Sequence, residues 1–395
     1  MAGAAMLLAV AAGSAAAYSQ EHSPGEAQTS PRAAKPAPDP HALFEEAQAA
    51  QQSGDKELAV KKYEELIRFH PEVVAAHADL GVVLVSLGRY DEGIAQYHIA
   101  LTEAPGSPPL RLNLGLAYYK KGDFAGAAAQ FASLHKEQPN DARLATLLAK
   151  CETQIGLAGQ ALALLEPLEK QHPDNLDVEW ALGNALLSTG QTLEGLKRVQ
   201  KVADEGHSEQ AYQLAADLYL GLAMFDIAKR DAEAVLRLDA KAAKAYVVLG
   251  IVDDYAGNEK AAAEQYEKAL EIDPNDLQAR IQLASALYGQ RKLDEAKREL
   301  ERALAMDPQA YGARYEMARV EQAQGNMTAA LKDLETVVQQ RPDWLEPHVD
   351  LAALYYRLKR PADGARERQI VDRLREQEQK RRGQAKIISP QIHSQ

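Results

Sequence analysis

The 395-residue chain has one cysteine, Cys151, five phenylalanines and two tryptophans, and aromatic residues make up only 6% of it. A lone cysteine excludes an intramolecular disulfide and a multi-cysteine metal site; it reads as a small buried hydrophobe rather than a nucleophile. Hydrophobic residues still reach 46%, much of it alanine, which suits closely packed helices rather than sheet, where β-branched and aromatic side chains are wanted. Positive charge is short as well. The net charge of −12 speaks against binding to duplex nucleic acid, whose phosphates demand an excess of Lys and Arg, and points away from an anionic membrane surface. Also missing are a Gly-rich phosphate loop, an H-E-x-x-H pair and a nucleophile elbow, so no enzyme, metal, cofactor or small-molecule substrate is expected.

Residues 1–20, MAGAAMLLAVAAGSAAAYSQ, contain no charged side chain. The apolar run ending in Ala15-Ala16-Ala17 fits the hydrophobic region and cleavage pattern of a secretory signal, although the basic region that normally precedes it is missing. A signal peptide over 1–17 and a periplasmic or secreted mature protein are therefore expected. The alternatives are an uncleaved anchor, the one route to a membrane, and a cytoplasmic protein with a disordered tail. Residues 18–39, rich in Pro and Ala, read as a flexible linker.

What the chain does have is a period. Pro71, Pro105, Pro139 and Pro173 lie 34 residues apart, and Pro274, Pro308 and Pro342 resume the interval. When the proline is counted as position 32, position 8 holds only Ala or Gly, from Ala47 and Gly81 to Ala352, and so does position 20, from Ala59 to Gly364. Glycine inside a helix costs stability relative to alanine, so its use there implies close approach of a neighbouring helix. Large residues fill complementary places, with Leu80 and Leu114 at position 7 and Tyr63, Tyr97, Phe131 and Tyr266 at position 24. Position 15 is often glycine, as at Gly54, Gly88 and Gly122, which marks a left-handed helix end. Each period is thus helix, short turn, helix.

The spacing, the Leu-Gly pairs in DLGVVL, NLGLAY and VLGIVD, the alanines, the aromatic and the closing proline resemble the tetratricopeptide repeat over residues 40 to about 375. That resemblance implies an all-α solenoid of about ten repeats, wound as a right-handed superhelix whose concave groove is lined by the first helix of each repeat. One residue is missing near DEGHSEQ, which places repeats 1–5 in 40–207 and repeats 6–10, with a charged capping helix, in 208–383. Residues 384–395 are expected to form a disordered tail.

By the same resemblance, positions 2, 5, 9 and 12 face the groove. They supply Tyr119, Arg143, Lys150, Trp180, Asn184, Lys244, Tyr288, Tyr315, Arg319 and Tyr356. Aromatics and Arg are the residue types that dominate binding energetics. A clamp for C-terminal carboxylates, known in some relatives, is matched only at Asn113 and Arg143, while Ala78, Val82 and Leu147 occupy its other places. The resulting expectation is a non-catalytic scaffold for protein or peptide partners in bacterial envelope assembly. Two alternatives stand beside it: a substrate-presenting or regulatory subunit of an enzyme system such as a glycosyltransferase, and a cytosolic co-chaperone adaptor.

Overall fold

The structure, a computed structural model, describes residues 38–388, with side chains as far as Lys380. The expected signal and the linker as far as residue 37, together with the tail from 389, lie outside the described residues. Two compact units are present, one ending at Lys201 and the other beginning at Val202.

In the first unit the helices pair in sequence. They are α1 (Pro40–Gln52) and α2 (Lys56–Phe69), α3 (Val74–Ser86) and α4 (Tyr90–Glu103), and α5 (Pro108–Lys121) and α6 (Phe124–Glu137). Next come α7 (Ala142–Gln154) and α8 (Ala158–Gln171), then α9 (Leu176–Ser188) and α10 (Thr192–Gly206), within which the second unit begins. The second unit continues with α11 (Glu209–Gly221) and α12 (Phe225–Leu238), α13 (Ala243–Tyr255) and α14 (Glu259–Ile272), and α15 (Leu277–Gly289) and α16 (Leu293–Met306). It closes with α17 (Tyr311–Gln324), α18 (Met327–Gln340), α19 (Leu345–Arg357) and α20 (Pro361–Ile388). Among the described residues there is no strand. Helix α20 runs on past 383, where the sequence suggests the tail begins.

The proline stop works through the residue before it. His70, Asp273 and Asp307 have φ near −137°, −122° and −136° with ψ of 67°, 89° and 99°, outside the α region that the following Pro disfavours. At the other turn, Gly54, Gly88, Gly122, Gly156, Gly190, Gly257 and Gly325 all have positive φ. Three repeats of the second unit place Ala223, Arg291 and Lys359 at that same position, also with positive φ. The turn, not the residue, dictates the conformation.

Small meets large inside each helix pair. A Cβ on Gly81 would sit 2.8 Å from the Tyr97 ring, and one on Gly250 would sit 2.4 Å from Tyr266. Tyr63, Tyr97, Phe131 and Tyr266 are buried, so a thin two-helix layer reaches interior packing density. Within each unit some first helices also pack on the first helix of the following repeat, as α7 does on α9 and α15 on α17.

A polar lock recurs at position 4. Its side chain donates to the carbonyl of the residue six back, at the turn, and engages a side chain nineteen on, in the second helix. Arg280 bonds the Pro274 carbonyl at 2.6 Å and Glu299 at 2.7 Å; Arg314 bonds the Pro308 carbonyl at 2.7 Å and Asp333 at 3.1 Å. His77 and His348 take the same place. In one repeat the polarity is reversed. Glu179, 1% exposed, is held by Arg198 at 3.0 Å and Lys201 at 2.7 Å, and Lys201 rather than position 4 serves the Pro173 carbonyl.

Candidate protein-binding face

The residues expected to face the groove fall in both units, and each unit arranges them differently. In the first unit Tyr119 is half-buried and meets Phe124 edge-on at 5.4 Å, and burial raises its phenol. Arg143 is exposed in the first turn of α7. Lys150 reaches across to Asp177 at 3.3 Å and so links α7 to α9. Asn184 donates its side-chain amide to the Trp180 carbonyl at 2.8 Å, which commits one donor to its own helix. These side chains are spread over three helices without forming a common cluster.

In the second unit Lys244 is exposed, and its charge partly offsets the burial that raises the Asp217 carboxyl. Further on, three expected residues do come together. The Arg319 guanidinium lies 4.6 Å from the centre of the Tyr288 ring and 5.9 Å from that of Tyr315. Tyr315 donates its hydroxyl to Asp350 at 2.9 Å, and Arg319 pairs with Glu316 at 2.8 Å. Tyr356 stands apart: its ring lies against the backbone of Gly364 in α20, where an added Cβ would fall 2.9 Å away.

The cluster extends beyond the expected residues. Trp344 packs on Tyr315 with ring centres 4.8 Å apart and meets Tyr311 edge-on at 5.6 Å, and Arg341 lies 4.7 Å over the Tyr311 ring. Tyr311, Tyr315 and Arg319 are spaced four apart, so they share one stripe of α17. That spacing was the signal available in the sequence. Tyr311 and Trp344 were missed because they fall at positions 1 and 34, outside the four groove positions.

Electrostatically the cluster is balanced. Burial raises the Glu316 carboxyl, and the Arg319 charge works against that rise. Burial and then the Asp350 carboxylate raise the Tyr315 phenol, which keeps it a hydrogen-bond donor. Cys151 in the first unit is buried, and burial followed by the Glu152 charge pushes its thiol up to about 12, far from the reactive thiolate. Among the described residues no group of three His, Cys, Asp or Glu side chains could hold a metal ion, and no helix is long and apolar enough to cross a membrane.

Stacked helix pairs with an aromatic and cationic stripe on a first helix define a helical-repeat binding protein. Models of the tetratricopeptide repeat match residues 44–108, 84–151, 243–276 and 281–344, together more than half of the chain, and the chain belongs to that family of protein-interaction scaffolds. The Vi polysaccharide export protein VexE of Salmonella typhi is 32% identical over 138 residues, which cover 34% of this chain and 21% of that protein. The chain thus matches about a fifth of that curated relative's length. A tetratricopeptide repeat protein from Parabacteroides merdae is similar in fold at a TM-score of 0.53 and 18% identity, with 63% of this chain and 98% of that one covered. Yeast Tom70 matches with a TM-score of 0.43 and 17% identity over 85% of each chain.

Proposed function

We propose that the chain is a non-catalytic scaffold of the bacterial envelope that binds a protein or peptide segment on the face built by α15, α17 and α19. The observation that carries this reading is the contact of Tyr288, Arg319, Tyr315 and Trp344, which presents large rings and a guanidinium already held in place. Pre-ordered side chains lose little freedom on binding, and aromatics and Arg are the usual anchors. An extended or helical segment would lay apolar groups on the rings and an acidic group near Arg319. Placement in the envelope draws on the uncharged apolar stretch at residues 1–17 and on a relative named as an export protein.

The test is site-specific photo-cross-linking in the native host from the exposed Tyr311, with Lys268 on α14 as control. One protein captured from position 311 and not from 268 is expected. Replacing Tyr315 and Arg319 by Ala should weaken that partner's binding roughly thirtyfold or more, since truncating an anchor typically costs about 2 kcal/mol. Unchanged affinity in a folded Tyr288, Tyr315, Arg319 triple variant would reject this face and direct attention to Trp180 and Asn184.

A further inference from the structure

At the end of a first helix, position 14 can reach position 18 of the repeat before. Lys121 pairs in this way with Asp91 at 2.5 Å, and the Gln324 side-chain amide donates to Asp294 at 2.9 Å. In both, a carboxylate at the start of a second helix is met by a donor from the next repeat. Asp226, in the first turn of α12, stands at the same position, but the place opposite it is held by Ala256, whose side chain has nothing to donate. Asp226 is exposed and makes no ion pair among the described residues. Arg230, one turn on, is held by Asp231 at 2.7 Å, and Lys229 pairs with no acid.

The residues next to Asp226 and Ala256 in the chain are aromatic, and they meet. Phe225 and Tyr255 stack with ring centres 4.3 Å apart and planes 28° from parallel. Phe225 covers one face of the Tyr255 ring and leaves the residue 71% exposed. Leu222 and Met224, in the turn that leads to Phe225, are exposed as well. Elsewhere in the second unit the chain lays its own cations on such rings, Lys268 on Tyr246 at 5.7 Å, Arg341 on Tyr311 at 4.7 Å and Arg360 on Tyr355 at 4.5 Å. Tyr255 has no such cation among the described residues.

We infer that Tyr255, Phe225 and Asp226 form a docking site for an arginine side chain of a partner protein, which takes the place that Lys121 takes beside Asp91. The charge is complementary: an exposed carboxylate without a partner and the open face of a ring both attract a cation. A surface ion pair alone contributes little, and so does one ring in water, but here both act on a single side chain. Arginine suits the pair because its flat guanidinium stacks on a ring while its N–H groups reach a carboxylate, and its stem can lie along apolar neighbours such as Met224. The site shares no residue with the face of α15, α17 and α19.

The test is fluorescence polarisation of a labelled peptide, Gly-Ser-Leu-Arg-Leu-Ser-Gly, titrated with the full chain. Tyr255→Ala should weaken its binding roughly fivefold and Asp226→Asn roughly threefold, while Tyr255→Phe keeps a ring and should retain affinity. Glu271→Gln removes an equal charge from an exposed position of α14 and should change nothing. Ala256→Lys supplies the missing cation from within the chain, as Lys121 does, and should exclude the peptide. Equal losses in Asp226→Asn and Glu271→Gln would mean that only net charge attracts the peptide, and would overturn the inference. So would wild-type affinity in Ala256→Lys, or a wild-type chain that does not bind the peptide. Self-association of the chain that Ala256→Lys abolishes would assign the place to a second copy and overturn it as well.

Discussion

The two units share one packing rule and use their charges differently. In the first, charge is turned inward at Glu179, where a carboxylate almost without solvent contact is neutralised by Arg198 and Lys201, and its expected binding residues remain separate. Position 4 carries cations in both, at Arg111 of the first unit and at Arg280 and Arg314 of the second, but the second also gathers charges on the stripe of α17 with Tyr311 and Tyr315. The small-to-large fit that holds helix pairs together fixes only a few positions per repeat. The polar positions are left to vary, and it is there that one unit acquires a buried ion cluster and the other a stripe of aromatic rings and a guanidinium.

The sharpest way to break that comparison is to remove the cations around Glu179. Arg198 contacts Glu169 as well, so the double variant Arg198→Ala with Lys201→Ala removes both cations that pair with Glu179. Leaving a buried carboxylate uncompensated should destabilise the first unit by about 3–5 kcal/mol. The corresponding change in the second unit, Arg314→Ala, leaves Asp333 with 15% side-chain exposure and room to find water, and should cost less. Denaturant melts followed by hydrogen exchange in each unit measure both. Equal costs would mean that burial of the acid does not distinguish the units.

The comparison is sharpened by two carboxyls that the units have in common. Glu152 in α7 and Glu321 in α17 sit at position 11, where Leu84 and Leu287 stand in other repeats, and each has an Oε2 buried without a hydrogen-bond partner. Burial raises both carboxyls above the ordinary range, and for Glu321 the Asp333 charge adds to it. The unfolded chain therefore loses its proton first, the native state binds more protons across that window, and stability falls as pH rises through it. Glu152→Leu and Glu321→Leu should each gain about 1–2 kcal/mol at pH 7.5, with the gain shrinking at pH 4.5. A gain that is independent of pH would assign it to packing instead.

How much of this was legible in the sequence depended on the kind of constraint. The helix pairs could be read because steric rules leave few residue choices: a Cβ at Gly81 or Gly250 would crowd Tyr97 or Tyr266, and a residue before Pro is biased away from the helical region. The meeting of Tyr288, Tyr315 and Arg319 could be read from their positions 12, 5 and 9 in a periodic register, and the Arg319 guanidinium does lie near both rings. Trp344 could not, since it lies in a turn and reaches Tyr315 only through the fold. The position 4 lock also escaped, although its signal was present: a donor six residues after the stop proline and a partner nineteen further on, as in Arg280 and Glu299. Opposite polarity at Glu179 and Arg198 disguised it, because no single residue type marks the column.

The smallest expected effect concerns the turns at position 15. Every described turn of this kind in the first unit uses glycine with positive φ, from Gly54 at 84° to Gly190 at 81°, whereas the second unit places Ala223 there at 56°. In the left-handed region an L-residue brings its Cβ close to the carbonyl oxygen that follows, at about 1–2 kcal/mol, and alanine has no polar side chain to compensate. The next residue, Met224, gives α12 no side-chain cap, so nothing local offsets the strain. Ala223→Gly should therefore stabilise the second unit, by less than the full strain because glycine also gains freedom when unfolded; about 0.5–1 kcal/mol is expected. The mirror change in the first unit, Gly190→Ala, has open space around the new Cβ and tests backbone strain alone, with a loss of about 1 kcal/mol expected. If Ala223→Gly leaves the unfolding midpoint unchanged while Gly190→Ala lowers it, the α11–α12 turn is not strained, and the second unit has adapted its backbone to alanine in a way the first has not.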